Sequence, residues 1–181
     1  MRPHRAFPAV LLSCGLVAAG HAQSVHSVAS LAGIGGVEIV VEDPGPGLQR
    51  LGVSGLTLRA DVELLLRRGG VRVIGQVDAC DSLPCLYVHV TATTGPGTSA
   101  YFVHVGLQQM VSLSRNPSFA VSVETWHAQG RVGLVTGGRM PERVADAVSS
   151  EVAQFVNAFH NANRGRWPQS GALGRRRGGR R

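Results

Sequence analysis

The sequence predicts a two-layer α+β domain, with a mixed, mostly antiparallel sheet of five or six strands and two helices on one face. Three patterns carry this expectation. Residues 37–77 read as strand, helix, strand with short joins, the order of a right-handed crossover. Residues 86–136 alternate apolar and polar side chains between turn signals, as a β-meander does. A long amphipathic helix follows, and a stripe that regular needs a sheet to cover.

The elements follow in order. Residues 37–42, Val-Glu-Ile-Val-Val-Glu, are rich in β-branched side chains that suit a pleated surface. Asp43-Pro44-Gly45-Pro46-Gly47 stops that strand. Residues 56–68 read as a helix: Thr57 is a suitable N-cap, and Leu58, Val62, Leu65 and Leu66 share one face. Asp61 and Glu63 lie in its amino-terminal half and Arg67 and Arg68 at its end, as the helix dipole favours. Gly69-Gly70 terminates it. Residues 71–77 form the second strand. Leu86, Val88 and Val90 lie on one face of the third, residues 86–93. Residues 99–113 make a long strand with Tyr101, Val103, Val105 and Leu107 on one face. Residues 119–126 and 131–136 read as a last hairpin around residues 127–130. In residues 141–163, Pro141 suits a first helical turn, and Val144, Val148, Val152, Phe155 and Phe159 form a continuous stripe.

Residues 1–22 read as an export signal. Arg2, His4 and Arg5 precede an apolar run from Ala6 to Ala19, and Gly20-His21-Ala22 offers small residues for cleavage. The run is shorter than the ~20 residues of a spanning helix. The mature chain is therefore expected in the periplasm or secreted, with no transmembrane segment. Residues 23–36 are small and polar and read as a flexible lead-in, residues 37–163 as the domain, and residues 164–181 as a disordered Arg/Gly-rich tail. Lipidation at Cys14 is an alternative fate of the leader.

The net charge of +7 belongs to the ends. All 18 Lys+Arg residues are Arg; two lie in the leader and seven follow Asn163. Nine Arg remain against 11 acids in residues 23–163, a balance of about −2. A basic nucleic-acid groove therefore has no support within the domain, and no nucleic-acid partner is expected. Arg175, Arg176, Arg177, Arg180 and Arg181 could instead meet an anionic surface such as lipid headgroups or lipopolysaccharide.

Cys80 and Cys85 are the mature cysteines, and in an oxidising compartment they read first as a disulfide. Closing so short a loop is worth only ~2 kcal/mol. A metal site is the alternative, since Cys-x4-Cys-x3-His reaches His89 and His104 could approach. In the register that sets Thr94 opposite Ser99, His89 stands opposite His104, where cross-strand Cβ atoms are ~5 Å apart. Asp78 or Asp81 could join such a site. No cofactor motif is present: Gly33-Ile34-Gly35-Gly36 precedes a strand and no helix, unlike a dinucleotide loop. Gly52-Val53-Ser54-Gly55 is one residue short of a nucleophile elbow. Asp61 and Glu63, two apart on a helix, point to different sides. No catalytic residue is assigned.

The order of elements resembles a set of uncharacterised exported bacterial α+β proteins. The residues that carry the likeness are Ala60-Asp61-Val62-Glu63-Leu64-Leu65-Leu66-Arg67 and Glu151-Val152-Ala153-Gln154-Phe155-Val156-Asn157-Ala158-Phe159. More distantly, the helix–strand unit is similar to the amino-terminal domain of the Tol-Pal protein TolB and to small envelope-assembly lipoproteins. The resemblance implies an interaction module and no activity. The expected function is an exported, non-catalytic binding or envelope-assembly module. The alternative is an exported metal-binding protein or hydrolase using His89 and His104. The uncovered sheet face decides between them: a pocket lined by His89, His104 and Trp126 would favour a ligand or catalysis, and an apolar patch a protein partner.

Overall fold

The apolar stripe near the carboxyl end folds as Met140–Ala162, a helix with Pro141 in its first turn. The computed structural model describes residues 25–76, Cys80 and residues 84–164. In chain order the elements are α1 (Val25–Ala29), β1 (Val37–Val41), α2 (Gly45–Arg50), α3 (Gly55–Arg68), β2 (Val73–Gln76), β3 (Cys85–Gly95), β4 (Thr98–Leu113), β5 (Asn116–His127), β6 (Arg131–Thr136) and α4 (Met140–Ala162).

The fold is α+β, with a mixed six-stranded sheet in the order β2-β1-β3-β4-β5 and β6 paired to β4. β1 is parallel to both β2 and β3; β4 is antiparallel to β3, β5 and β6. The helices α3 and α4 cover one face. Leu58, Val62 and Leu66 of α3 and Val144, Val148, Val152, Phe155 and Phe159 of α4 are buried. They join Ile39, Leu86, Val88, Val103, Val105, Leu107 and Trp126 in one core. The Trp126 and Phe155 rings meet edge to face, centroids 5.2 Å apart, a favourable aromatic geometry. The aliphatic alternation in β3 and β4 therefore does what it predicts: one set of side chains faces the helices.

Four local expectations change. The helix begins one residue earlier, and its N-cap is Ser54, whose hydroxyl oxygen accepts from the Thr57 N–H at 3.3 Å. Residues 43–47 stop the strand as expected, but residues 45–50 then turn once as α2 and bury Leu48, where no element was expected. Residues 25–36, expected as a flexible lead-in, carry α1 and bury Leu31 and Ile34. Asn163 pins them: its side-chain N–H donates to the Leu31 carbonyl at 3.0 Å, and its Oδ1 accepts from the Gly33 N–H at 2.9 Å.

The fourth change matters most for the surface. β5 and β6 are not a hairpin. Both run antiparallel to β4 along the same edge, β5 beside residues 106–113 and β6 beside residues 98–103. They are two halves of one interrupted strand. Gly106 pairs with His127 and Val103 with Arg131, so residues 128–130 oppose only His104 and Val105, a bulge. Gly130 takes φ +74, which a residue with a Cβ resists. Its N–H donates to the buried Glu151 carboxylate of α4 at 2.9 Å.

Cys80 and Cys85 are disulfide-bonded, with Cα atoms 5.5 Å apart. Among the described residues, no helix is long and apolar enough to cross a membrane. The leader at 1–22 and the tail from 165 onward lie outside the described residues.

Phe155 is fully buried at the centre of this core. Its replacement by Ala should cost ~3–5 kcal/mol in denaturant unfolding, whereas Leu64→Ala, at an exposed position, should change stability by less than about 0.5 kcal/mol. Equal costs at the two positions would refute the placement.

Candidate functional site

The face of the sheet away from the helices carries a line of titratable side chains. Its centre is a cross-strand pair: Thr94 pairs with Ser99 and His89 with His104. A carboxylate flanks each ring. Glu42 follows the last residue of β1, and its N–H donates to Val88 at 3.0 Å, which sets it beside His89. The Glu42 carboxylate accepts from the Tyr87 hydroxyl and meets His89 Nδ1 at 2.6 Å. On the other side, His104 Nε2 lies 2.6 Å from Glu124 Oε2, and His127 Nδ1 lies 3.1 Å from Glu124 Oε1. An ionised carboxylate can only accept, so the facing nitrogens carry the protons.

Backbone irregularities build this line. In regular alternation Glu124 and Trp126 would share a face and His127 would take the other. The ladder steps from Leu107↔Trp126 to Gln108↔Glu124, leaving Thr125 as an extra residue. Its hydroxyl accepts from the Gln109 side chain at 2.6 Å. The extra residue puts Trp126 in the core and brings Glu124 and His127 together outside. Gly106 makes room below: a Cβ there would overlap the Glu124 carboxylate, so only glycine lets that carboxylate lie across β4 and reach His104.

Electrostatics hold the Glu42 end in one state. The Tyr87 hydrogen bond, then His89, holds the Glu42 carboxyl below its ordinary range. The same bond, with burial, pushes the Tyr87 hydroxyl up to about 12. A phenol held protonated is a poor nucleophile or base at neutral pH. Ser54, the hydroxyl of the Gly52-Val53-Ser54-Gly55 segment, serves as a helix cap. The line presents hydrogen-bond donors and acceptors that can meet a polar surface. Among the described residues, no three His, Cys, Asp or Glu side chains are arranged to hold a metal ion.

An apolar patch adjoins it. Phe102 stacks on His104 with centroids 6.3 Å apart. Val132 is Phe102's partner on β6, and Leu134 is paired with Ala100. Val132 and Leu134 are each 74% exposed. Trp126, which would have lined a pocket with the two histidines, is instead buried in the core.

Of the residues singled out in the sequence, His89 and His104 come together and Cys80 and Cys85 bond to each other. Asp78, Asp81, Arg175, Arg176, Arg177, Arg180 and Arg181 lie outside the described residues. Glu42, Tyr87, Glu124 and His127 were missed. The parallel register of β1 on β3 would have found the first two; the last two depend on a bulge that alternation cannot show.

No family model matches the sequence, and no curated protein matches it. Among solved structures the chain is similar to a PelC dodecamer from Paraburkholderia phytofirmans, at 18% identity over 74% of this chain and 90% of that one, with a TM-score of 0.37. A likeness at that level carries no argument about function.

The Tyr87–Glu42 bond has a pH signature. Folded Tyr87 keeps its proton to about 12, while an unfolded tyrosine releases it near ~10. Its contribution to stability is complete below about pH 10 and is lost as the pH rises to about 12. The Glu42 contribution runs the other way, present above the ordinary carboxylate range and lost in acid. Urea midpoints followed through the alkaline range should fall less steeply in Tyr87→Phe than in the parent chain. Parallel curves would show that the bond does not form.

Proposed function

We propose that this chain is an exported, periplasmic, non-catalytic binding or envelope-assembly module that receives a protein partner on its open sheet face. The observation that carries the reading is the patch of Phe102, Val132 and Leu134, with no described element packed over it. Exposed branched side chains on a strand at the sheet margin mark a docking surface. The neighbouring imidazole–carboxylate line supplies polar groups of both signs, as the rim of an interface does. Export is supported by the leader-like pattern of residues 1–22 and by the Cys80–Cys85 disulfide, a bond that persists in oxidising compartments.

A second reading rests on His89 lying opposite His104. A divalent metal could bridge two such rings once their carboxylates released them. Calorimetric titration with Zn2+ separates the two readings: stoichiometric binding lost in His89→Ala would favour the metal.

A photo-crosslinking side chain at Val132 should give a discrete adduct in envelope extract, and one at Leu64 on α3 should not. Leu134→Asp should suppress the adduct at an unchanged melting temperature. No adduct at Val132, or the same adduct from both positions, would overturn the docking face.

A further inference from the structure

A second site lies at the carboxyl end of β1. There a cleft of about 670 Å3 opens, within the size range of small-molecule sites. β1 stands between two parallel neighbours, β2 and β3. After β1 the chain leaves the sheet to form α2 and α3 before returning as β2. A crevice outside the carboxyl ends of parallel strands, where connections diverge, is the recurrent ligand position in open sheets.

The walls differ in charge. Glu42 and Asp43 stand on the strand side. Glu42 is the carboxylate held by Tyr87 and His89, and Asp43 accepts from the Gly45 N–H at 2.9 Å and the Gln49 amide at 2.7 Å. Both keep further acceptor capacity, since a carboxylate offers about four lone-pair sites. On the helix side Arg59 lines the same cleft. It is half-buried, and among the described residues no hydrogen bond or ion pair engages it. The guanidinium therefore shares a cleft with two carboxylates and pairs with neither. The lining also offers apolar surface: Val40 is buried, and Leu56, 80% exposed, stands in the first turn of α3.

A simple anion would meet Arg59 and be repelled by the strand wall; a simple cation would face the converse. A ligand carrying both signs answers both walls, and an apolar body between them would cover Leu56. We propose that this cleft binds a small zwitterion with an apolar body, the simplest being an apolar α-amino acid. Its carboxylate would lie in the Arg59 fork, its ammonium on Glu42 and Asp43, and its side chain against Val40, Leu56 and the Tyr87 ring. This site shares Glu42 and Tyr87 with the polar line but none of Phe102, Val132 and Leu134, so loss of the Val132 adduct and loss of amino-acid binding are read separately and either proposal can fail alone.

Calorimetry on the full chain with L-leucine and L-phenylalanine tests the proposal. At least one should bind. N-acetyl-leucine, which lacks the ammonium, and leucinamide, which lacks the carboxylate, should each bind at least about tenfold more weakly than leucine or phenylalanine, the effect of losing one charge-assisted contact. Arg59→Gln should weaken binding to the same degree with an unchanged melting temperature. Arg67→Gln, at the far end of α3, should leave binding intact. Three results would overturn the proposal: neither amino acid binds, N-acetyl-leucine or leucinamide binds as tightly as the free amino acid, or Arg59→Gln binds like the parent.

Discussion

The contact between α4 and one face of the sheet is the constraint on which the rest depends. Trp126, Phe155 and Phe159 are fully buried there, and hydrophobic burial of this kind is the main favourable term in folding. With aromatics at only 5% of the chain, the three rings concentrate much of the large-side-chain packing in one place. The opposite sheet face takes no part in this core. It is left to polar side chains and to the exposed margin of β6, as antiparallel sheets with one wet face allow.

The same helix also shapes the wet face. Glu151 is a buried acidic side chain, a costly position unless it is well partnered. It accepts from the Gly130 N–H and from the Gln154 side chain, and Arg131 approaches it at 3.6 Å. Those contacts hold the bulge at residues 128–130, which directs the broken strand along β4 and presents Val132 and Leu134 beside Phe102 and Ala100. A second bulge at Thr125 gathers Glu124 and His127. One irregularity thus sets the apolar patch and the other sets the polar line.

Periodic features were legible in the sequence. The α4 stripe, the α3 face, the alternation in β3 and β4 and the His89–His104 register all follow from side-chain periods of 3.6 and 2. Aperiodic features were not. The pairing of β6 to β4 looked like a hairpin because residues 127–130 resemble a turn, and the contacts that hold them along β4 instead come from afar, among them Glu151 to the Gly130 N–H across 21 residues and the Val105 carbonyl to the Ala128 N–H. Residues 25–36 looked loose because their anchor, Asn163, is over a hundred positions away. Ser54 rather than Thr57 caps α3 because the hydroxyl must precede the first helical residue to reach a free N–H. The cleft beside Arg59 joins segments that no local pattern connects.

Hydroxyl-radical footprinting of the purified full chain, read residue by residue, bears most directly on this one-sided burial. Phe102, Val132 and Leu134 should oxidise readily, while Trp126, Phe155 and Phe159 stay protected until the chain unfolds. Oxidation of Trp126 in the folded protein, or protection of Val132 and Leu134 with no partner present, would contradict it.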